Sequence, residues 1–167
     1  MKKLIAVGVA ALVAGSVWAE RLPPSKVDFS GFIQSSKEVH TYRQKRLVSL
    51  EKFLEMAKEP NTIILDTRSA AAYKKKHIAG AIHLNFSDFT DEKLAKVIPS
   101  KDTRILIYCN NNIDRDVQNF ASKRVRLALN VPTFINLYGY DYKNVYELAN
   151  LVRADHKKLK FEGTEVK

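Results

Sequence analysis

Two short apolar runs constrain the fold of this chain more than any other feature. Ile63-Ile64-Leu65 and Ile105-Leu106-Ile107 contain no alternating polar residue. Strands of this kind are buried on both faces, as in the middle of a parallel sheet that helices cover on each side. Helix-length amphipathic segments separate these runs from other short apolar runs, as in β-α-β units. The sequence therefore predicts an α/β domain with an open parallel sheet of about five strands and helices on both faces.

The individual elements follow from caps, terminators and apolar runs. Ser49 and Asp114 are suitable N-caps, while Pro60 and Pro99 end helices. We expect strands at 47–50, 62–65, 81–84, 104–108 and 133–136, and helices at 49–58, 69–76, 87–98, 114–129 and 142–152.

The chain divides into four predicted regions. Residues 1–19 have the pattern of a secretory signal, with two lysines, an apolar stretch and a small-residue cleavage site ending in Ala19. Residues 20–46 form an extended arm with room for one helix, residues 47–152 the domain, and residues 153–167 a charged tail that we expect to fray. This organisation predicts a periplasmic or secreted protein with no membrane span once the signal is removed.

The positive charge does not indicate a nucleic-acid partner. Signal cleavage removes Lys2 and Lys3 and lowers the net charge from +10 to +8. The remaining basic residues are spread along the chain without interleaved aromatic residues, and export separates the protein from nucleic acid. We interpret them as a solvated surface. The four histidines and one cysteine lack metal-ligand spacing, so no metal site is predicted.

Cys109 is the only cysteine, which excludes an internal disulfide. It follows a predicted buried strand and precedes Asn110, Asn111 and Asn112. Loop N–H groups and a following helix N-terminus can stabilise a thiolate in such a position. Asp66 ends a second predicted strand, and ligands of open α/β sheets bind outside the carboxyl ends of strands. Cys109 is therefore a candidate nucleophile.

Four segments together resemble the rhodanese family of sulfurtransferases, over residues 47–152. The first two are Ile64-Leu65-Asp66-Thr67-Arg68, followed by Tyr73, and His77-Ile78-Ala79-Gly80-Ala81, which leads into a strand and Asn85. The third is Tyr108-Cys109, at the position of the family's catalytic cysteine. The fourth is Asn136-Leu137-Tyr138-Gly139-Tyr140, similar to its Leu-x-Gly-Gly turn.

The resemblance implies a function and a role for each site residue. Cys109 would accept a sulfane sulfur as a persulfide and pass it to a thiophilic acceptor, without a cofactor. The active-site loop would comprise Asn110, Asn111, Asn112, Ile113, Asp114 and Arg115, with Asn112 where the family often has glycine. Asp66 and Arg68 would form a bracing ion pair, and His77 would be structural. The partners would be a small sulfur-containing anion, a thiol acceptor or a protein.

Two alternatives remain open at this point. Asp114 stands where active family members commonly have Arg, Ser or Thr, and a carboxylate near Cys109 would raise its pKa and repel thiosulfate. The domain would then be a binding module with a silent cysteine, unless Asp114 only caps a helix. The second alternative interprets Cys109 and Arg115 as the Cys-x5-Arg pattern of oxyanion enzymes, such as phosphatases and arsenate reductases.

Overall fold

A computed structural model describes residues 22–166 of the chain. The predicted signal segment, residues 1–19, lies outside the described residues. Across residues 22–166, no helix has both the length and the apolar character needed to cross a membrane.

Residues 22–166 form five α-helices and nine short strands. The helices are α1 (Phe29–Arg43), α2 (Leu50–Met56), α3 (Ala70–Lys75), α4 (Asp91–Val97) and α5 (Asn130–Gly139). The strands are β1 (Leu47–Val48), β2 (Thr62–Asp66), β3 (His77–Ile78), β4 (Ala81–His83), β5 (Arg104–Tyr108), β6 (Ile113–Asp114), β7 (Val145–Leu148), β8 (Val152–Arg153) and β9 (Phe161–Glu162).

A five-stranded parallel sheet forms the centre, as the apolar runs predict. The strand order is β1-β7-β5-β2-β4, and every neighbouring pair is parallel. The two wholly apolar runs lie in the adjacent central strands β2 and β5. Two small sheets, β3 with β9 and β6 with β8, lie beside the main one. The predicted fold class, an open parallel α/β sheet, is therefore confirmed.

The two faces of the sheet bury separate cores. Ile105 and Ile107 of β5 pack with α5 and α1, while Leu106 and Tyr108 pack with α2. Side chains alternate across a strand, so Cys109, directly after Tyr108, belongs to the α5 face. This alternation decides which groups surround the thiol.

The second half of the domain differs from the prediction. Residues 133–136 belong to helix α5, and the fifth strand is β7, inside the segment predicted as a helix at 142–152. A short apolar run fits either a strand or a buried helix, and Pro132 is tolerated because it lies in the first turn of α5. The segment that resembles the Leu-x-Gly-Gly turn thus ends a helix instead of following a strand.

The helix predicted at 114–129 does not form. Only Val125–Leu127 makes a 3-10 turn in this stretch. Arg115 has φ of +63°, a left-handed conformation that an α-helix cannot continue through. Cys109 is therefore followed by a 20-residue loop, 110–129, before the next α-helix begins at Asn130.

Both ends of the described chain are more ordered than the sequence suggests. The arm contains the 15-residue helix α1, capped by Asp28, whose carboxylate accepts the Gly31 N–H at 2.8 Å. The tail does not fray along its whole length, because Leu159 is buried and β9 pairs with β3.

Candidate active site

Cys109 lies at the carboxyl end of β5 and is almost completely buried, with 1% of its surface exposed. The backbone N–H groups of Asn130, Asn111 and Leu129 lie close enough to the thiol to favour its ionised form, and each lowers the pKa of Cys109. Burial raises the pKa of Cys109, the three N–H groups oppose this shift, and the charge of Glu147 adds to it. The pKa stays raised on balance, so the resting thiol is neutral in this conformation.

The asparagines after Cys109 hold the loop together. Asn110 donates to the Ala121 carbonyl at 2.9 Å. Asn111 donates to the Lys123 carbonyl at 2.7 Å and accepts the Lys123 N–H at 3.0 Å. These bonds fasten the first residues of the loop to its second half.

Asn112 joins the loop to the neighbouring strand. Its Oδ1 accepts the Cys109 N–H at 2.9 Å, and its Nδ2 donates to the Leu148 carbonyl at 2.8 Å. Asn112 is itself buried, and the positive φ in this loop occurs at Arg115 and not at Asn112. The interpretation of Asn112 as a substitute for a left-handed glycine is therefore wrong; the residue cross-links β5 to the end of β7.

Asp114 is exposed, in contrast to the buried thiol. Its side chain is 51% exposed and its nearest cation is Arg115 at 4.0 Å, whereas the carboxylate that raises the pKa of Cys109 is that of Glu147. Asp114 belongs to β6, paired with β8, and caps no helix. The predicted role of Asp114 as an N-cap therefore does not hold in the structure.

Arg115 and Ile113 occupy opposite environments. The Arg115 side chain is 62% exposed, and no α-helix lies between Cys109 and Asn130. Ile113 is buried in the core under α2. The loop therefore does not wrap an oxyanion between Cys109 and Arg115 in this conformation.

Asp66 and Arg68 form a buried ion pair on the opposite face of the sheet. Arg68 Nη2 lies 2.7 Å from Asp66 Oδ2, and the Tyr108 hydroxyl donates to the same oxygen at 2.5 Å. Arg68 also donates to the carbonyls of Lys76 at 2.6 Å and Asn119 at 3.0 Å. The pair thus ties β2 and β5 to the long loop after Cys109.

His77 lies apart from the thiol, in β3. Its Nδ1 is 2.7 Å from the Tyr73 carbonyl oxygen, and its ring stacks on that of Tyr73 at 3.8 Å. These contacts join α3 to the small β3–β9 sheet.

The carboxylate that faces the thiol is Glu147, which the sequence reasoning missed. Glu147 is 5% exposed and pairs with Arg43 of α1. The predicted helix over 142–152 gives no indication that Glu147 lies near Cys109. As strand residues, Val145 and Glu147 share a face, and a lone acidic residue in the apolar run Val145-Tyr146-Glu147-Leu148 was the available signal.

Within residues 22–166, no group of three or more His, Cys, Asp or Glu side chains is arranged to hold a metal ion.

Solved structures similar to this chain include three bacterial proteins. A rhodanese from E. coli is 19% identical, with 62% of this chain and 99% of that chain covered and a TM-score of 0.41. A thiosulfate sulfurtransferase from Pseudomonas aeruginosa is 19% identical over 71% of this chain and 21% of that longer chain, with a TM-score of 0.42. Protein hp1203 from Helicobacter pylori is 22% identical over 72% and 91%, with a TM-score of 0.42. Comparison with curated proteins gives no match.

A sequence model of the rhodanese-like domain matches residues 49–150, which is more than half of the chain. The matched region runs from the cap of α2 to just beyond β7 and contains Asp66, Arg68 and Cys109. The chain belongs to the rhodanese-like domain family.

Proposed function

We propose that the protein carries sulfane sulfur on Cys109 as a persulfide and transfers it to a thiophilic acceptor. The observation that carries this proposal is the position of Cys109 at the carboxyl end of β5, next to three backbone N–H groups, of Asn130, Asn111 and Leu129, that lower its pKa. Fixed N–H donors stabilise an anion where it forms, so they suit a thiolate and a persulfide anion alike. Family membership supports the same chemistry.

Each step is a displacement at sulfur. The Cys109 thiol loses its proton to solvent, and the thiolate attacks the outer sulfur of a donor such as thiosulfate or a polysulfide. The new S–S bond forms as the donor's S–S bond breaks, and sulfite or a shortened polysulfide leaves with the electron pair. An acceptor thiolate or cyanide then takes the outer sulfur, and Cys109 leaves as thiolate.

Transfer requires the loop 110–129 to open. A thiol with 1% of its surface exposed does not meet a donor in the described conformation. The loop contains no α-helix and has several exposed apolar residues, among them Val117, Val125 and Leu127. Ile113 and Phe120 are buried, whereas residues 121–127 are all exposed, so 121–127 is the part of the loop that is least expensive to displace.

Thiocyanate formation tests the proposed function. The full chain is incubated with thiosulfate or polysulfide and with cyanide, and thiocyanate is measured over time. We expect turnover with at least one donor and none with Cys109→Ser, which keeps the size of the side chain but not its nucleophile. Equal thiocyanate from both proteins, or none from either, would overturn the proposal.

A second candidate function is a binding module with a silent cysteine. Burial of Cys109 and its raised pKa favour this alternative. Alkylation of the folded chain with iodoacetamide, measured between pH 7 and 10, separates the two. A thiol that reacts only when the protein unfolds supports the module, whereas pH-dependent labelling of the native protein supports the carrier.

We also propose that the protein is exported, on the basis of residues 1–19. The expected product in a periplasmic fraction begins at Glu20, and its mass identifies that end. A chain that keeps residues 1–19 would contradict export by this signal.

A further inference from the structure

Glu147 is a buried carboxylate on the face of β7 that packs against α5 and α1. Its side chain is 6% exposed, and its neighbour on the same face, Val145, belongs to the apolar core there. A buried charge persists only where partners compensate its loss of solvation. The partners of Glu147 therefore determine what charge Cys109 experiences.

Arg43, at the end of α1, provides the compensating charge in a two-point contact. Its Nε lies 2.5 Å from Glu147 Oε2, and its Nη2 lies 2.6 Å from Oε1. The hydrogen bond to Glu147 raises the pKa of Arg43, so the guanidinium stays charged. Residues of α1 lie outside the region that matches the family, 49–150.

Hydrogen bonds connect this ion pair to the backbone of Cys109. Asn130 Nδ2 lies 3.1 Å from Glu147 Oε1 and 2.9 Å from Asn112 Oδ1. The same Asn112 oxygen accepts the Cys109 N–H at 2.9 Å. Glu147, Asn130 and Asn112 are buried and Arg43 is half-buried, so four consecutive contacts connect Arg43 to the backbone N–H of Cys109.

Other charged groups near the site are paired elsewhere or exposed. Helix α5 contains no charged residue. Asp66 and Arg68 neutralise each other on the opposite face of the sheet. All charged residues of the loop 110–129 are half-buried or exposed: Asp114, Arg115, Asp116, Lys123, Arg124 and Arg126. Among the described residues, Glu147 is thus the buried charge on the thiol's own face, and the half-buried Arg43 is its partner.

We propose that α1 tunes the reactivity of Cys109 through Arg43, which neutralises Glu147 beside the thiol. Glu147 and Arg43 are positioning residues, because neither reacts with sulfur. With Arg43 in place the pair has no net charge, and the thiolate or persulfide anion forms against a small penalty. Without Arg43 the bare carboxylate repels either anion. The proposal rests on Cys109 being the reactive residue of the proposed function.

Variants that break the ion pair from its two ends separate this role from a structural one. Glu147→Gln removes the negative charge, and Arg43→Met removes the positive charge while keeping the aliphatic stem. The readout is the pH midpoint of Cys109 alkylation by iodoacetamide in the full chain. We expect a shift to lower pH for Glu147→Gln and to higher pH for Arg43→Met, each of about one unit, which is about tenfold in thiolate at a given pH.

Three further variants complete the test. Arg43→Lys keeps the charge and should stay close to the wild-type midpoint. The double variant Arg43→Met with Glu147→Gln removes both charges, and it provides the measurement if Arg43→Met alone does not fold. Its midpoint should lie near that of Glu147→Gln. Arg46→Met is the control, because Arg46 stacks on Tyr42 and Tyr146 and pairs with no carboxylate among residues 22–166.

Opposite shifts from the two single variants support the proposal. Shifts in the same direction show that the pair only holds the fold, and unchanged midpoints show that Glu147 does not act on the thiol; either result overturns it. Alkylation needs no sulfur donor. Opposite shifts in a protein that forms no persulfide would therefore refute the proposed function, while showing that the Arg43–Glu147 pair acts on the thiol; the two failures are distinguishable.

Discussion

At the scale of single residues, Asp66 has the most demanding environment in the described chain. Its carboxylate is fully buried and is satisfied by Arg68, the Tyr108 hydroxyl and the Arg68 N–H, the last at 2.9 Å. The guanidinium also lies 4.5 Å from the centre of the Phe120 ring. Removing one member of a buried ion pair costs far more than the pair contributes, because the other charge stays buried without a partner.

The first prediction concerns Arg68. Arg68→Met leaves Asp66 unpaired, and we expect the free energy of unfolding to fall by about 3–5 kcal/mol. Urea denaturation measures the change. The matched control is Arg115→Met, whose exposed side chain should matter by less than about 0.5 kcal/mol. Similar losses for both variants would contradict this account of the Asp66–Arg68 pair.

The second prediction concerns the pH dependence of stability through Cys109. The pKa of the thiol is raised in the folded chain, mainly by burial. The folded protein keeps the proton above about pH 8.5, where the unfolded thiol releases it. The stabilising effect is therefore complete below that pH and is lost as the pH rises toward the folded pKa, at up to about 1.4 kcal/mol per pH unit.

Urea denaturation of the wild type and Cys109→Ser at pH 7 and pH 10 measures this effect. The serine variant lacks the titrating thiol, while Tyr108 and all other groups titrate in both proteins. The wild type should lose stability relative to the variant between the two pH values. A constant difference would mean that the thiol pKa is the same in both states.

At the scale of secondary structure, the first half of the domain was predictable and the second half was not. Buried apolar strands and caps such as Ser49, which accepts the Lys52 N–H at 3.2 Å, are local signals. Asp114 has the chemistry of a cap, but Arg115 turns left-handed and the helix does not start. The run Val145-Tyr146-Glu147-Leu148 can be identified as a strand only once its neighbours in the sheet, β1 and β5, are known.

Only those features of the site that have a local signal in the sequence could be predicted. Cys109 was found because its strand and its uniqueness are visible in the sequence. Arg43 and Glu147 are 104 residues apart, and nothing in the sequence pairs them. The rise in the pKa of Cys109 that was expected from the charge of Asp114 comes instead from Glu147. Predicting this requires knowing which face of its strand each residue occupies.

The third prediction tests the docking of α1. Val39 is 3% exposed and packs in the same core as Phe134 and Tyr42. In Val39→Ala, the lost burial should lower the free energy of unfolding by about 2 kcal/mol. The higher helix propensity of alanine should offset roughly 0.5 kcal/mol of that loss. Val125→Ala, at an 84% exposed position, is the matched control and should change stability by less than about 0.5 kcal/mol. An equal effect at both sites would show that α1 is not docked.

At the scale of the whole molecule, the chain is a rhodanese-like domain with additions at both ends. Helix α1 adds a layer over α5 and brings Arg43 to the site. The segment after β7 adds β8, which pairs with β6, and β9, which pairs with β3. Because Cys109 is buried within this assembly of elements, sulfur transfer requires both a reactive thiol and a loop that opens.

The intact mass of the full chain after incubation with a sulfane-sulfur donor tests the central claim most directly. Wild-type protein exposed to polysulfide or thiosulfate should gain about 32 Da, removable by a thiol reductant, because one sulfur is added to the thiolate. Cys109→Ala, the only change needed to remove every thiol, should gain nothing. A wild-type protein that remains at its original mass with both donors, while its thiol is alkylated under the same conditions, would contradict the claim that Cys109 carries sulfur.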